Sequence, residues 1–226
     1  MSRYTTLLFD LDNTLLDFTK AEFICIKELF ARHSLPNDDA SVVRYSQIND
    51  LYWKAFERGE IEAEEIYTGR FDAFAREKGI VVDSEKLAKD YLALLSQCPI
   101  EAEGCESVLS NARKKGYDIS VITNGIACNQ RSRINLCCIK DYITDVFISE
   151  ELLSKKPEKL FFDRVFEKLP EKNKSRILVI GDSLSSDIKG AKNAGLDSCL
   201  LTTEKGDLPV EPTYRIEKLT DLMNII

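Results

Sequence analysis

Two aspartates, Asp10 and Asp12, stand two residues apart at the end of the apolar run Leu7-Leu8-Phe9. Like charges that close repel, and one pKa rises unless a cation or a proton intervenes. As a structural device the pair is poor. With a metal ion beside it, the pair becomes a catalytic device. The apolar run reads as a buried parallel strand. The carboxyl ends of such strands are where open α/β sheets place their ligands.

Three other stretches carry compatible chemistry. Ile122-Thr123-Asn124-Gly125 closes a second apolar run. Thr123 offers a hydroxyl, and the turn at Asn124 and Gly125 offers backbone N–H groups; both suit a phosphate oxygen. The same tripeptide is also an ordinary turn. Lys155-Lys156-Pro157 follows a third run and is expected to open a helix, with Pro157 at its first position. A cation is not favoured at the positive end of a helix dipole, so a functional Lys156 needs an anion to hold. Gly181-Asp182-Ser183-Leu184-Ser185-Ser186-Asp187 adds two carboxylates after a fourth run. Asp187 also suits the first turn of a helix. Asp182 leaves a strand that reads as buried as the first. Asp10, Asp12, Asp182 and Asp187 collected in one crevice call for a hard cation with oxygen ligands, Mg²⁺ before others. Thr123 and Lys156 call for an anion opposite it, and a phosphoryl group satisfies both.

The elements that must position these residues alternate. Apolar runs at Ile119–Thr123, Val146–Ile148, Ile177–Gly181 and Cys199–Leu201 are separated by helical patterns that end near Gly116, Pro170 and Gly195. Strand–helix alternation predicts a Rossmann-like, doubly wound parallel sheet of the α/β class. Residues 17–98 break the rhythm. Apolar positions at helical spacing recur there in about four sets, including Phe23/Ile26/Leu29/Phe30 and Leu87/Tyr91/Leu94/Leu95. This predicts an all-helical insert over 17–98, with a core made of 1–16 and 99–226. An insert that leaves the end of the first strand is expected to cover the two aspartates as a lid. The cap aromatics Tyr52, Phe56, Phe71 and Phe74 read as helix-bundle core.

Composition narrows the setting. The 226 residues, 44% hydrophobic, support one sizeable core with a small second domain. A net charge of −7 argues against nucleic-acid binding, which needs a basic footprint. Seven cysteines without a C-x-x-C pair read as small buried hydrophobes in a reducing compartment. No apolar run approaches a membrane span and no leader pattern precedes the first strand, so a soluble, cytoplasmic protein acting on a small molecule is expected.

Asp10-Leu11-Asp12-Asn13-Thr14, Thr123, Lys156-Pro157 and Gly181-Asp182-x4-Asp187 resemble, in order, the four motifs of the haloacid dehalogenase-like hydrolases. The insert after the first motif is similar to that family's helical cap. The resemblance implies Asp10 as a nucleophile that takes the phosphoryl group. It implies Asp12 as the acid and base, and Mg²⁺ held by Asp10, Asp182 and the Asp12 backbone carbonyl. Thr123, Asn124, Gly125 and Lys156 would bind the phosphate, Lys156 would orient Asp10, and Asp187 would steady Lys156 or metal-bound water. The family's dehalogenases lack an acid two residues after the nucleophile, so Asp12 points to phosphate esters. Ile48-Asn49-Asp50-Leu51-Tyr52-Trp53, Gly59-Glu60-Ile61, Gly69-Arg70-Phe71, Gln130-Arg131 and Ile148-Ser149-Glu150-Glu151 look like the bacterial pyrimidine 5′-nucleotidase branch. A sugar phosphate or a phosphoglycolate-type ester is the competing substrate. A phospho-acceptor signalling module clusters the same residue types, but it needs an open face and a long-lived phospho-aspartate, which a lid and an acid-base Asp12 oppose.

Overall fold

A six-stranded parallel sheet carries the architecture of the computed structural model, which describes residues 3–226. Its strands are β1 (Thr6–Phe9), β2 (Asp118–Thr123), β3 (Asp145–Ile148), β4 (Ile177–Gly181), β5 (Asp197–Leu201) and β6 (Tyr214–Ile216). The spatial order is β3-β2-β1-β4-β5-β6, and every pairing is parallel. Phe9 lies level with Val121 on one side and Ile180 on the other. The chain winds outward from β1 in one direction and then from β4 in the other. That reversal opens a crevice at the carboxyl ends of β1 and β4, the place where doubly wound sheets hold ligands.

The strands are apolar on both faces, as parallel strands covered on two sides must be. Leu7 and Phe9 join one buried cluster with Val108, Leu109 and Ala112, while Leu8 joins another with Phe161, Phe162 and Val165. Each such side chain taken from water contributes about 1.5–3 kcal/mol.

Nine α-helices accompany the described strands: α1 (Phe18–Arg32), α2 (Asp39–Glu57), α3 (Ala63–Lys78), α4 (Ser84–Ser96), α5 (Cys105–Lys114), α6 (Ala127–Leu136), α7 (Ser149–Leu152), α8 (Lys159–Lys168) and α9 (Lys189–Ala194). The chain divides into two compact units, one ending at Asp17 and resuming over Ile100–Ile226, the other Phe18–Pro99. The second unit is α1 to α4. Asp38 caps α2 by accepting from the Ser41 N–H at 3.0 Å, and Gly79 ends α3 in the left-handed region at φ 66°. Its interior is aromatic: Phe30 stacks on Phe74 at 4.8 Å between centroids, and Tyr45 meets Phe71 at 5.0 Å. A polar chain crosses this interior. Arg70 donates to Asn49 Oδ1 at 2.7 Å, and Asn49 donates to Glu22 Oε1 at 2.6 Å.

Three local expectations change. Pro157 is not the first residue of a helix. It follows a cis peptide bond in a turn closed by the Glu158 N–H on the Lys155 carbonyl at 2.8 Å, and α8 starts at Lys159. Asp187 lies in a wide π turn over Leu184–Ile188 that runs into α9. Tyr214–Ile216 forms the edge strand β6, which is too short and too polar at Arg215 to register as an apolar run. All seven cysteines are free thiols; Cys25, Cys105, Cys137 and Cys199 are buried, and Cys128 is exposed. Among the described residues no helix is long and apolar enough to cross a membrane.

Candidate active site

β1 delivers Asp10 into the crevice, and the Asp10 N–H still donates to the Ile180 carbonyl of β4 at 2.8 Å. Asp10 is thus tied to the central pairing of the sheet. Lys156 reaches the same point from the turn after α7. Its Nζ donates to Asp10 Oδ1 at 2.6 Å, Asp187 Oδ1 at 2.7 Å and the Ile122 carbonyl at 3.1 Å. Three acceptors fill the three donors of an ammonium, so the side chain has one orientation. Lys156 is 1% exposed; Asp10 and Asp187 are the anions it was expected to need, and α8 begins only at Lys159. Burial alone would pull this ammonium down, but Asp10 and Asp187 outweigh it and hold its pKa above the ordinary lysine value.

Asp187 is fully buried, and both its oxygens are used: Oδ1 by Lys156 and Oδ2 by the Ser183 N–H at 3.1 Å. Gly181 makes that seat possible. A Cβ there would stand 2.2 Å from Asp187 Oδ2. Asp182, the next residue, completes a trio: oxygens of Asp10, Asp182 and Asp187 all lie within 4.8 Å of one another. Burial, with the charges of Asp187 and Asp182 added, pushes Asp10 well above the usual carboxylate range despite Lys156. Burial and then the Asp187 charge push Asp182 up to about 7.

These shifts test the metal expectation. Three crowded carboxylates share one ammonium, and desolvated like charges of this kind are costly. A donor set made of carboxylate oxygens suits a hard divalent cation, which would offset their crowded charge. The residues fit Mg²⁺.

Asp12 occupies a different environment. Arg133 Nη1 donates to its Oδ1 at 2.6 Å, and Gln130 Nε2 donates to its Oδ2 at 2.7 Å. Gln130 Nε2 also donates to Thr123 Oγ1 at 2.9 Å, and the Gly125 N–H donates to the same oxygen at 3.1 Å. A hydroxyl has two acceptor sites and one proton. With both acceptor sites filled, the Thr123 hydroxyl proton can only be donated, which is what an anion requires. Asn124 and Gly125, expected at the phosphate, also make contacts within the protein. The Asn124 side chain clamps the Lys156 backbone, accepting from its N–H at 2.8 Å and donating to its carbonyl at 2.9 Å. The Gly125 N–H points at Thr123.

Residues 7–201 match the haloacid dehalogenase-like hydrolase family. The chain belongs to the haloacid dehalogenase-like hydrolases. Over its whole length it is 36% identical to the HAD-hydrolase YfnB of Bacillus subtilis, covering 97% of that protein. It is 32% identical to the pyrimidine 5′-nucleotidase PynA of Streptococcus pneumoniae, with 99% of this chain and 95% of PynA aligned. A crystal structure of YfnB bound to magnesium superposes with a TM-score of 0.93, each chain 99% covered. The chain is therefore an enzyme of this hydrolase family, with the family's α/β core.

Two buried residues of this hydrolase bear on Asp12: Gln130, read in the sequence only with Arg131 as a likeness to the nucleotidase branch, and Arg133, which no motif picked out. Their signal is the spacing. Positions 130 and 133 share one face of α6, the helix that starts directly after the Thr123 turn, and a buried arginine on such a face demands an acid.

Proposed function

We propose that this hydrolase is a Mg²⁺-dependent phosphomonoesterase that works through an aspartyl-phosphate on Asp10, with pyrimidine nucleoside 5′-monophosphates as its preferred substrates. The observation that carries the reading is the separation of the two carboxylates. Asp10 is held by Lys156 and Asp12 by Gln130 and Arg133. Paired carboxylates placed in different environments take different roles.

In the first half-reaction an Asp10 oxygen attacks phosphorus, and the bond to the leaving oxygen breaks. Asp12 gives that oxygen its proton, so the alcohol departs neutral. In the second, Asp12 takes a proton from water, the water oxygen attacks phosphorus, and phosphate leaves with Asp10 regenerated. Thr123 donates its hydroxyl proton to a phosphoryl oxygen, and the Lys156 charge sits beside the attacking group. Asp10, Asp182 and the Asp12 backbone carbonyl would hold the cation, which when bound neutralises phosphoryl oxygens and the crowded carboxylates. Asp187 pins Lys156.

The nucleotide assignment draws support from PynA and from the likeness of the insert to the nucleotidase branch. The inserted helices are assigned substrate selection, as an element that interrupts the core five residues after Asp12. Seven free thiols suit the reducing cytoplasm. The test is phosphate release from a panel of UMP, dUMP, purine nucleotides, hexose phosphates, phosphoglycolate and p-nitrophenyl phosphate, with Mg²⁺ and with EDTA. Pyrimidine nucleotides should lead in kcat/KM, and EDTA should abolish turnover. A hexose phosphate ahead by tenfold, about 1.4 kcal/mol in transition-state binding, would move the substrate class.

A further inference from the structure

We infer that Gln130 and Arg133 are positioning residues that aim the Asp12 carboxylate at the leaving oxygen. The inference rests on the phosphatase reading and deepens it.

The geometry is a closed relay. Arg133 Nη1 donates both to Asp12 Oδ1 at 2.6 Å and to Gln130 Oε1 at 3.0 Å. The Gln130 amide then faces its Nε2 toward Asp12 Oδ2 at 2.7 Å and Thr123 Oγ1 at 2.9 Å. Arg133 therefore decides which end of the Gln130 amide points into the crevice. The amide in turn decides where the second Asp12 oxygen sits and that the Thr123 proton faces outward. Two donors on two carboxylate oxygens fix the plane of the group as well as its place. Gly125 shapes the other side of the amide, since a Cβ there would stand 2.1 Å from Gln130 Nε2.

Burial argues that the relay is not a packing accident. Gln130 is 2% exposed and Arg133 0%, whereas the Asp12 side chain is 28% exposed. A guanidinium in the interior is expensive, and an apolar side chain of similar size often serves stability as well. Here the charge stands behind the one carboxylate that must move protons, on the side away from solvent. The exposed face of Asp12 is left for substrate and water. Acid–base groups work only within about 3 Å of their proton's destination, and a 1 Å misplacement can cost on the order of a hundredfold.

Leaving-group chemistry separates this role from a structural one. p-Nitrophenolate leaves without a proton, while the alcohol of an alkyl phosphate needs one. The step is contained in kcat/KM, which covers events up to departure of the leaving group. Gln130→Met, Arg133→Met and Arg133→Lys should be assayed beside the wild-type enzyme with Mg²⁺. The substrates are p-nitrophenyl phosphate and the best alkyl phosphate of the panel. Both methionine variants should lose roughly tenfold or more in kcat/KM on the alkyl ester beyond any loss on the nitrophenyl ester, part of the roughly 10²–10⁴-fold that general acid catalysis supplies. Arg133→Lys should recover part of that difference. Equal losses on both esters, or no loss, would overturn the inference. If Arg133→Met does not fold, Gln130→Met, which removes no charge, decides the matter alone. Wild-type enzyme inactive on both esters would instead overturn the phosphatase reading, and the positioning role with it.

Discussion

Lys156 is the residue on which the electrostatics of the site turn. Its ammonium lies between Asp10 and Asp187 with almost no solvent. Lys156→Met would leave three carboxylates facing one another. Removing one partner of a buried ion pair costs about 3–5 kcal/mol, and here the sign with pH is defined. Asp10 and Asp182 would rise further above their unfolded values, so the folded variant would bind more protons than the unfolded chain, and its stability would fall as pH rises. Urea denaturation at pH 5 and pH 8 should show the larger deficit at pH 8, and turnover should fall by at least about a hundredfold. Asp182 gives a second pH signature, in the metal-free protein. Its pKa is about 7 against a reference of 3.8, so stability should decline from about pH 4 to pH 7 as the favoured proton is lost. Asp182→Asn should flatten that part of the stability profile, read from thermal midpoints in EDTA. An unchanged slope would remove Asp182 as its source.

At the scale of elements, the strands and their exits were the legible part, because runs such as Leu7–Phe9 and Ile177–Gly181 are apolar on both faces and only a covered parallel sheet tolerates that. The helical character of the insert was legible from the spacing of Phe30, Phe71, Phe74 and Tyr91, which the structure places in one aromatic cluster. Two kinds of feature were not legible. One is local geometry that sequence period does not encode. The π turn at Leu184–Ile188 aims Asp187 back at Gly181, and the turn at Pro157 displaces the start of α8. The other is tertiary pairing of buried polar groups, as in Arg133 with Asp12, or Arg70 with Asn49 and Glu22. The π turn makes a prediction at its own scale. Gly181→Ala keeps every catalytic side chain but thrusts a methyl at Asp187, so turnover should fall by tenfold or more, from displaced positioning alone. The insert makes another. Arg70→Met strands the Asn49 carbonyl oxygen in an apolar interior and should cost about 1–3 kcal/mol. Glu22→Gln keeps an acceptor for Asn49 and should cost less. Chemical denaturation of the two variants checks the order.

For the whole molecule, the proposed metal would compete with protons for one set of oxygens. Burial holds Asp10 and Asp182 high, so a bound divalent cation must displace protons at low pH and stabilises more at high pH. Thermal midpoints should rise with Mg²⁺ by more at pH 8 than at pH 5.5, and Asp182→Asn should erase most of the rise at both. The central claim is narrower: the phosphoryl group resides on Asp10 during turnover. Asp12→Asn should slow the hydrolytic half-reaction by removing the proposed base, while p-nitrophenyl phosphate spares the first half the need for an acid. This variant, mixed with p-nitrophenyl phosphate and Mg²⁺ and quenched in acid, is the most direct test. Peptide mass analysis should find one added phosphoryl group on the peptide that contains Asp10, and none in an Asp10→Asn control. Steady release of phosphate with that peptide unmodified, or the phosphoryl group found on another residue, would contradict the account.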